Sequence, residues 1–429
     1  MTVSDELRSA RWFGGKSREI VDTRVVDRAC WVDDVAITLV EVNYQAGSPE
    51  TYVLAERLDD PAVGRALLDR FAGATVTTEA GGRLEFAPTH LFATIDRTRT
   101  EPIALMRGEQ SNTSIRFGDA LILKLFRRLQ FGPNPDVEVG WFLTEHSGFR
   151  GTPAVVGSIE YTSPEGKTAS LALLQVFERN RGDAWTTTLE RLAAVLDGAD
   201  PTDSIAAIGR LAETTAELHL ALATGSGDFA AESSASSDVA AWRSAIHDEV
   251  QAATDALAAR GIDIDPAELI QRADGIHELI GAEKIRHHGD YHLGQVLERE
   301  DGSFAIIDFE GEPARSLEKR REKRTPLRDV AGMLRSLDYA RHAALRAGDA
   351  SDAARVERAA DWHATAREAF LATYLALVNS ARPGLLPLES APPLAALELE
   401  KAAYEVLYEL NNRPDWLPIP LAALRADNS

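Results

Sequence analysis

Two short acidic segments carry the chemistry of this 429-residue chain. The first reads His287-His288-Gly289-Asp290-Tyr291-His292-Leu293-Gly294-Gln295, and the second reads Ile306-Ile307-Asp308-Phe309-Glu310-Gly311. Asp290 is a carboxylate able to accept a hydroxyl proton. Gln295, five residues on, offers an amide oxygen to a cation, and Asp308, at the end of an apolar run, offers a second oxygen ligand. Phosphoryl transfer needs these parts: a base that orients the attacking hydroxyl, and magnesium held by oxygen ligands against nucleotide phosphates. Between the segments, Val296-Leu297, Asp301-Gly302 and Ala305-Ile306-Ile307 read as strand, turn and strand. A His-Gly-Asp triplet alone would be a weak signal, and an ordinary turn explains it equally well. The ordered pair joined by a hairpin is a strong one.

The elements that must position these residues give an α+β pattern. Residues 1 to about 90 are β-rich, with apolar runs such as Val35-Ala36-Ile37-Thr38-Leu39-Val40 broken by polar turns and one helical stretch from Asp60 to Phe71. Residues 91–178 form a second β-rich region that includes Ala120-Leu121-Ile122-Leu123-Lys124-Leu125-Phe126. From 179 to 429 the pattern is helical, with apolar residues at three- and four-residue steps over 203–223, 238–260, 266–281, 326–347, 352–379 and 391–411. The order is a β-rich lobe followed by a helical lobe, with both acids on a hairpin in the helical part.

Composition bounds the class. Apolar content of 45% suits a globular protein, and no run is long and apolar enough to span a membrane. The N-terminus lacks a signal pattern and Cys30 is the single cysteine, so a cytoplasmic location is expected. A net charge of -21 disfavours a general nucleic-acid or anionic-membrane binder, so basic groups must be gathered locally to hold a nucleotide.

Candidates for that role lie in the second region. No GxGxxG is present; Gly108-Glu109-Gln110-Ser111-Asn112-Thr113-Ser114 occupies the first strand-turn-strand, and Ser111, Asn112, Thr113 and Ser114 could offer donors to phosphates. A lysine inside an apolar strand is costly unless it meets an anion, which singles out Lys124. Its expected partner is a glutamate of the next helix, either Glu138, just after Asn134-Pro135-Asp136, or Glu145. Gln175 and Phe177, at the end of the last strand before the helical part, stand where a backbone could read an adenine edge.

The chain resembles the bacterial maltokinases, within the aminoglycoside-phosphotransferase-like and eukaryotic-kinase-like superfamily. The resemblance covers almost the whole chain. It rests on Arg11-Trp12-Phe13-Gly14-Gly15-Lys16, Glu109 to Ser114, Lys124 to Leu129, Asn134 to Glu138, His288 to Gln295, Asp308-Phe309-Glu310-Gly311-Glu312-Pro313, Leu327 to Ser336, and Tyr404 to Trp416. It implies a bilobal protein-kinase-like fold with an N-terminal cap, ATP and magnesium as cofactors, and maltose as acceptor, phosphorylated at its anomeric hydroxyl for α-glucan synthesis. It leaves open an association with a trehalose-isomerising enzyme. Asp290 would be the catalytic acid, Gln295 and Asp308 the metal ligands, and Lys124 with Glu138 the nucleotide contacts. A related glucosamine kinase carries an Asp-Phe-Asp-Gly-Asn-Pro metal loop, from which Asp308 to Pro313 departs.

Aromatic faces and fixed polar groups suit a sugar, so Tyr404, Tyr408, Glu409, Arg413 and Trp416 are expected at the acceptor, together with His292 and Glu310 near the catalytic acid. The alternative is a helix that packs its tyrosines in a core. The basic run from Arg315 to Arg328 is read as a solvated surface loop, with a phosphate-steering loop as the sharper alternative. His219 is read as a packed histidine. A kinase for glucosamine or an aminoglycoside, or an inactive metabolite-binding kinase fold, are the competing functions.

Overall fold

The computed structural model describes residues 3–106, 112–313, 315–348 and 352–425. The chain divides into two compact units, Met1–Arg179 and Asn180–Ser429.

In the first unit, α1 (Val3–Ser9) precedes the strands β1 (Ile20–Val32), β2 (Val35–Tyr44) and β3 (Glu50–Ala55). Helix α2 (Pro61–Arg70) follows, then β4 (Thr75–Thr77), β5 (Arg83–Pro88), β6 (Ile103–Leu105), β7 (Asn112–Phe117), β8 (Leu121–Phe126) and β9 (Arg128–Leu129). Helix α3 (Pro135–His146) and the strands β10 (Val155–Thr162) and β11 (Thr168–Val176) complete it. One sheet has the order β1-β2-β3-β9 and a larger one the order β4-β5-β10-β11-β8-β7-β6. The larger sheet runs through residue 90 without a break, because β5 pairs with β10 from Gly157↔Pro88 to Thr162↔Arg83. The two sheets also share one core, in which Trp31, Ile37 and Val53 join Phe117, Leu123 and Ile159. Burying such side chains contributes about 1.5–3 kcal/mol each. Helix α3 starts where Asn134-Pro135-Asp136 predicts: the Asn134 side chain accepts from Asp136 N–H, and Pro135 fills the first helical position.

The second unit holds β12 (Asn180–Asp183), α4 (Ala184–Leu196), α5 (Thr202–Leu222), the short β13 (Glu232–Ser233), α6 (Ser236–Ala258), α7 (Pro266–Ala273) and β14 (Glu283–Lys284). Then come β15 (Val296–Arg299), β16 (Phe304–Ile306), α8 (Leu317–Arg321), α9 (Leu327–Arg346), α10 (Ala353–Ala381), α11 (Ala391–Asn412) and α12 (Pro418–Arg425). The expected hairpin is present. Strands β15 and β16 pair antiparallel, Val296↔Ile306 and Leu297↔Ala305, and β12 lies on the other side of β15. Helix α11 packs against α6 and α9, and α10 packs against α5. No described helix is long and apolar enough to cross a membrane.

Candidate active site

The Asp290 loop is fixed from below by one buried acid. Asp329, 2% exposed in the first turn of α9, accepts from His288 N–H at 2.7 Å, from Gly289 N–H at 2.9 Å and from His219 Nε2 at 3.1 Å. Burial alone would raise the Asp329 carboxyl, but the His219 bond and the facing histidines outweigh it and hold it far below the usual carboxylate range. His219 is fully buried, and its other nitrogen meets Tyr374 Oη at 2.8 Å, so it is a packed, orienting histidine as its setting in the sequence implied. Gly289 has φ of 85°, a left-handed conformation that glycine adopts without penalty. A Cβ on Gly332 would stand 2.6 Å from Tyr291 O, so glycine lets α9 press against the loop backbone.

His288 ties the two motifs together. Asp290 N–H donates to His288 Nδ1 at 3.3 Å, and His288 Nε2 lies 2.9 Å from Ile307 O. The bond network assigns the neutral tautomer with the proton on Nε2. Tyr291 Oη sits 2.7 Å from Thr215 Oγ1, whose hydroxyl donates to Leu211 O, so the tyrosine is the donor. Gln295 Nε2 donates to Asp308 Oδ2 at 3.2 Å, so the two expected metal ligands lie side by side. Asp308 adopts φ of 67°, which turns the chain out of β16. One carboxylate oxygen each of Asp308 and Glu310 lie within 4.8 Å of each other. Glu310, expected with the sugar, thus stands beside Asp308, the expected metal ligand. These hard oxygen donors fit magnesium, which needs few protein ligands.

Beside Asp290 is a cavity of about 20 Å³, lined by Glu312, Arg328, Leu397, Lys401 and Tyr404 among others. That is room for about one water, or one reacting hydroxyl. Lys401 Nζ lies 3.3 Å from Asp290 Oδ1 and 3.1 Å from Glu312 Oε1, over the Tyr404 ring at 4.8 Å. Burial pulls the Lys401 ammonium towards neutrality, but the two carboxylates raise its pKa and keep it charged. Glu312 is held well below its usual range against its burial by Arg328, Lys401 and Arg315. Lys401, Glu312 as a contact, and Asp329 as the loop anchor were missed as site residues by the sequence reading. A lysine, Lys401, one turn before Tyr404 on an apolar helix was the available signal.

Several expected residues sit elsewhere. Of the C-terminal cluster, Tyr404 lines the cavity. Tyr408 stacks on Tyr404 at 6.5 Å and is 44% exposed. Glu409 is buried and spends both oxygens on Arg413, at 2.7 and 3.1 Å, and also accepts from Tyr339 Oη at 3.1 Å. Trp416 stacks on Tyr339 at 6.2 Å, with the Arg346 and Arg413 guanidiniums 5.0 and 5.2 Å from its ring. Glu409, Arg413 and Trp416 thus engage one another, Tyr339 and Arg346 between α9 and the end of α11. His292 uses Nδ1 to accept from Gly294 N–H at 3.1 Å, and burial lowers its pKa. The 315–328 run is not a solvated loop. It contains α8, Arg324 is 6% exposed, and the Arg328 side chain is 13% exposed.

In the first unit, Lys124 Nζ donates to Asp136 Oδ2 at 2.9 Å, with the Asp136 side chain 2% exposed. Asp136, one residue after the proline that starts α3, is thus an acid partner of Lys124 that the sequence reading did not name. Glu138 lies in the same first turn, while Glu145 is bonded to His90 at 2.9 and 3.0 Å. Ser111 lies outside the described residues. Asn112, Thr113 and Ser114 are buried residues of strand β7 and not of a turn, with Ser114 opposite Lys124. The Thr113 hydroxyl accepts from buried Arg127 at 2.7 Å, whose guanidinium also lies over the Trp12 ring at 4.8 Å. Gln175 is paired inside β11 with Ile122, and Phe177 N–H donates to Ala120 O at 2.9 Å, so that amide is not available to an adenine.

No family model matches the chain. It is 28% identical over 332 residues to a glucosamine kinase of Mycolicibacterium smegmatis (strain ATCC 700084 / mc(2)155), covering 74% of this chain and 77% of that protein. It is 27% identical over 333 residues to a glucosamine kinase of Streptacidiphilus jiangxiensis, covering 75% and 73%. Among solved structures, a glucosamine kinase in crystal form B matches with a TM-score of 0.73 at 19% identity, covering 99% of this chain and 98% of that one. A glucosamine kinase in complex with glucosamine, ADP and inorganic phosphate matches with a TM-score of 0.72 at 20% identity, covering 99% and 100%. At that identity the structural likeness establishes the fold, an α+β chain with a sheet-rich N-terminal region and a helical C-terminal region. The names carried by these relatives are glucosamine kinases, where the sequence motifs had suggested maltose.

Proposed function

We propose that this chain is an ATP-dependent sugar kinase. The observation that carries the reading is the Asp290 carboxylate, held on a loop anchored by Asp329 and set at a cavity with Lys401, Glu312 and Tyr404. In this reading Asp290 accepts a hydrogen bond from the reacting sugar hydroxyl, aims its oxygen at the γ-phosphorus of ATP, and takes the proton as the new O–P bond forms, while the bond from the γ-phosphorus to the β–γ bridging oxygen breaks and ADP leaves. Lys401 holds the Asp290 side chain in place. Gln295, Asp308 and Glu310 would hold magnesium, which when bound neutralises the phosphate charge that repels the nucleophile. Lys124, held in its strand by Asp136, is the proposed nucleotide-phosphate contact.

Glucosamine is the first acceptor proposed, on the strength of the relatives and the ligands named in the solved complex. One observation favours a neutral sugar such as maltose instead: the two carboxylate oxygens best placed for a substrate ammonium, Asp290 Oδ1 and Glu312 Oε1, already receive the Lys401 ammonium. ADP release measured with glucosamine, glucose and maltose at matched concentrations decides. Turnover dependent on glucosamine supports the first acceptor, and turnover on maltose or glucose with none on glucosamine supports the second. ATP consumption indifferent to all three sugars removes the sugar-kinase reading.

A further inference from the structure

A second, much larger cavity lies in the same unit, between α6 and the 315–328 segment. Its volume is about 560 Å³, against about 30 Å³ for each molecule of liquid water, so it has room for a ring-sized ligand. Six cations line it: Lys284, Arg315, Lys319, Lys323, Arg324 and Arg328. Such a concentration is unexpected in a chain of net charge -21.

The lysines are paired with the acids of the rim. Lys284 meets Asp238 at 2.8 Å, Lys319 meets Glu322 at 2.7 Å, and Lys323 meets Glu232 at 2.5 Å. Lys284 also lies 3.6 Å from Glu232, which it shares with Lys323, and an ammonium has three donors to share among such acids. The three guanidiniums behind them face the two buried carboxylates Glu312 and Glu400, with Arg324 Nη2 3.5 Å and Arg328 Nη2 3.8 Å from Glu400. Glu249, the other acid near this cluster, is pushed by burial towards its protonated form and offsets them less. Three guanidiniums therefore share two carboxylates.

Arg324 is the least satisfied of them, with one long ion pair to Glu400 at 3.5 Å. It is 6% exposed, and neither its Nε nor its Nη2 has a hydrogen-bond partner, although its backbone is fixed to Ile285 at 2.9 and 3.0 Å. Its guanidinium lies 5.0 Å from the centre of the Trp242 ring, which forms part of the same wall. Burial lowers its pKa to about 10, still charged at neutral pH. A buried cation with two idle N–H groups in a roomy cavity is costly unless an anion completes it, and a fork of guanidinium donors matches a phosphate oxygen pair.

We propose that this cavity binds a phosphomonoester, with Arg324 as its central donor, Lys319 and Lys323 at its rim, and the remaining volume taken by the group the phosphate carries. The site is separate from the Asp290 cavity, although Arg315 and Arg328 border both. The proposal does not depend on the kinase reading, since binding alone reads it.

The test is isothermal titration of the full chain in phosphate-free buffer with glucose 6-phosphate, inorganic phosphate and glucose. Saturable binding of glucose 6-phosphate is expected, weakened tenfold or more by Arg324→Gln and several-fold by the pair Lys319→Gln and Lys323→Gln. Those two lysines border this cavity and not the one at Asp290, so their effect excludes binding at the acceptor site. Inorganic phosphate binding as tightly as the ester supports the phosphate site and names the free anion as its ligand; weaker binding names the ester. If Arg324→Gln lowers the unfolding midpoint, the lysine pair decides by itself. Absence of binding by both phosphate compounds, or binding undiminished in the lysine pair, overturns the proposal.

Discussion

At the scale of the residue, the account turns on how few groups hold Asp290. Its loop gains two backbone donors and a histidine through Asp329 and a proton-accepting ring nitrogen through His288. Asp329→Ala strands those donors, and each unpaired buried donor costs about 1–3 kcal/mol. The variant is expected to lower the unfolding midpoint and to cut turnover by tenfold or more, while ATP binding by calorimetry changes little. Unchanged turnover would remove Asp329 as the positioning residue. Sequence patterning singled out Asp290, Gln295 and Asp308 because their order and spacing are local. It left Lys401 out because that lysine reaches Asp290 from 111 residues away, and only packing of α11 brings it there.

At the scale of the element, hairpin and helices were legible, and side-chain satisfaction was not. The turn at Asp301-Gly302 and the alternation around it located β15 and β16. The 203–223, 326–347 and 391–411 periodicities located α5, α9 and α11 to within one residue at each end. Trp416, Arg413 and Glu409 look like a sugar platform in sequence because aromatic and charged residues recur there. The fold spends them on one another and on Tyr339. Likewise the density of basic residues from Arg315 to Arg328 reads as solvated, whereas Glu312 and Glu400 from two other segments draw part of it inside. Close packing of α9 on the Asp290 loop gives a prediction at this scale. Gly332→Ala places a methyl 2.6 Å from Tyr291 O, so helix or loop must shift. Turnover should fall several-fold with the unfolding midpoint lowered, and a variant equal to the parent in both would show that the contact yields freely.

At the scale of the molecule, buried histidines set an acid limit on stability. His287 is buried with both ring nitrogens unbonded, and burial pushes its pKa from 6.5 down to about 3. His363 moves the same way, to about 4. Both stay neutral in the folded chain while the unfolded chain takes up protons below 6.5. Stability is therefore full above that pH and is lost as pH falls towards 4, at about 1.4 kcal/mol per pH unit for each group. Urea unfolding at pH 7.5 and 5.0 should reveal the drop, and His287→Leu should flatten it; an equally steep dependence in that variant would assign the acid sensitivity to other groups. The order of a sheet-rich region before a helical one was legible in the sequence. The continuity of one sheet past residue 90 was not, because β5 finds its partner β10 some seventy residues later. The central claim, that Asp290 accepts the proton of a sugar hydroxyl during phosphoryl transfer, is tested most directly by sugar-dependent ADP formation in the parent and in Asp290→Asn. The account predicts turnover in the parent and a loss of about 10²–10⁴-fold in the variant, with its unfolding midpoint and ATP affinity retained. A folded Asp290→Asn that turns over at the parent rate would contradict it.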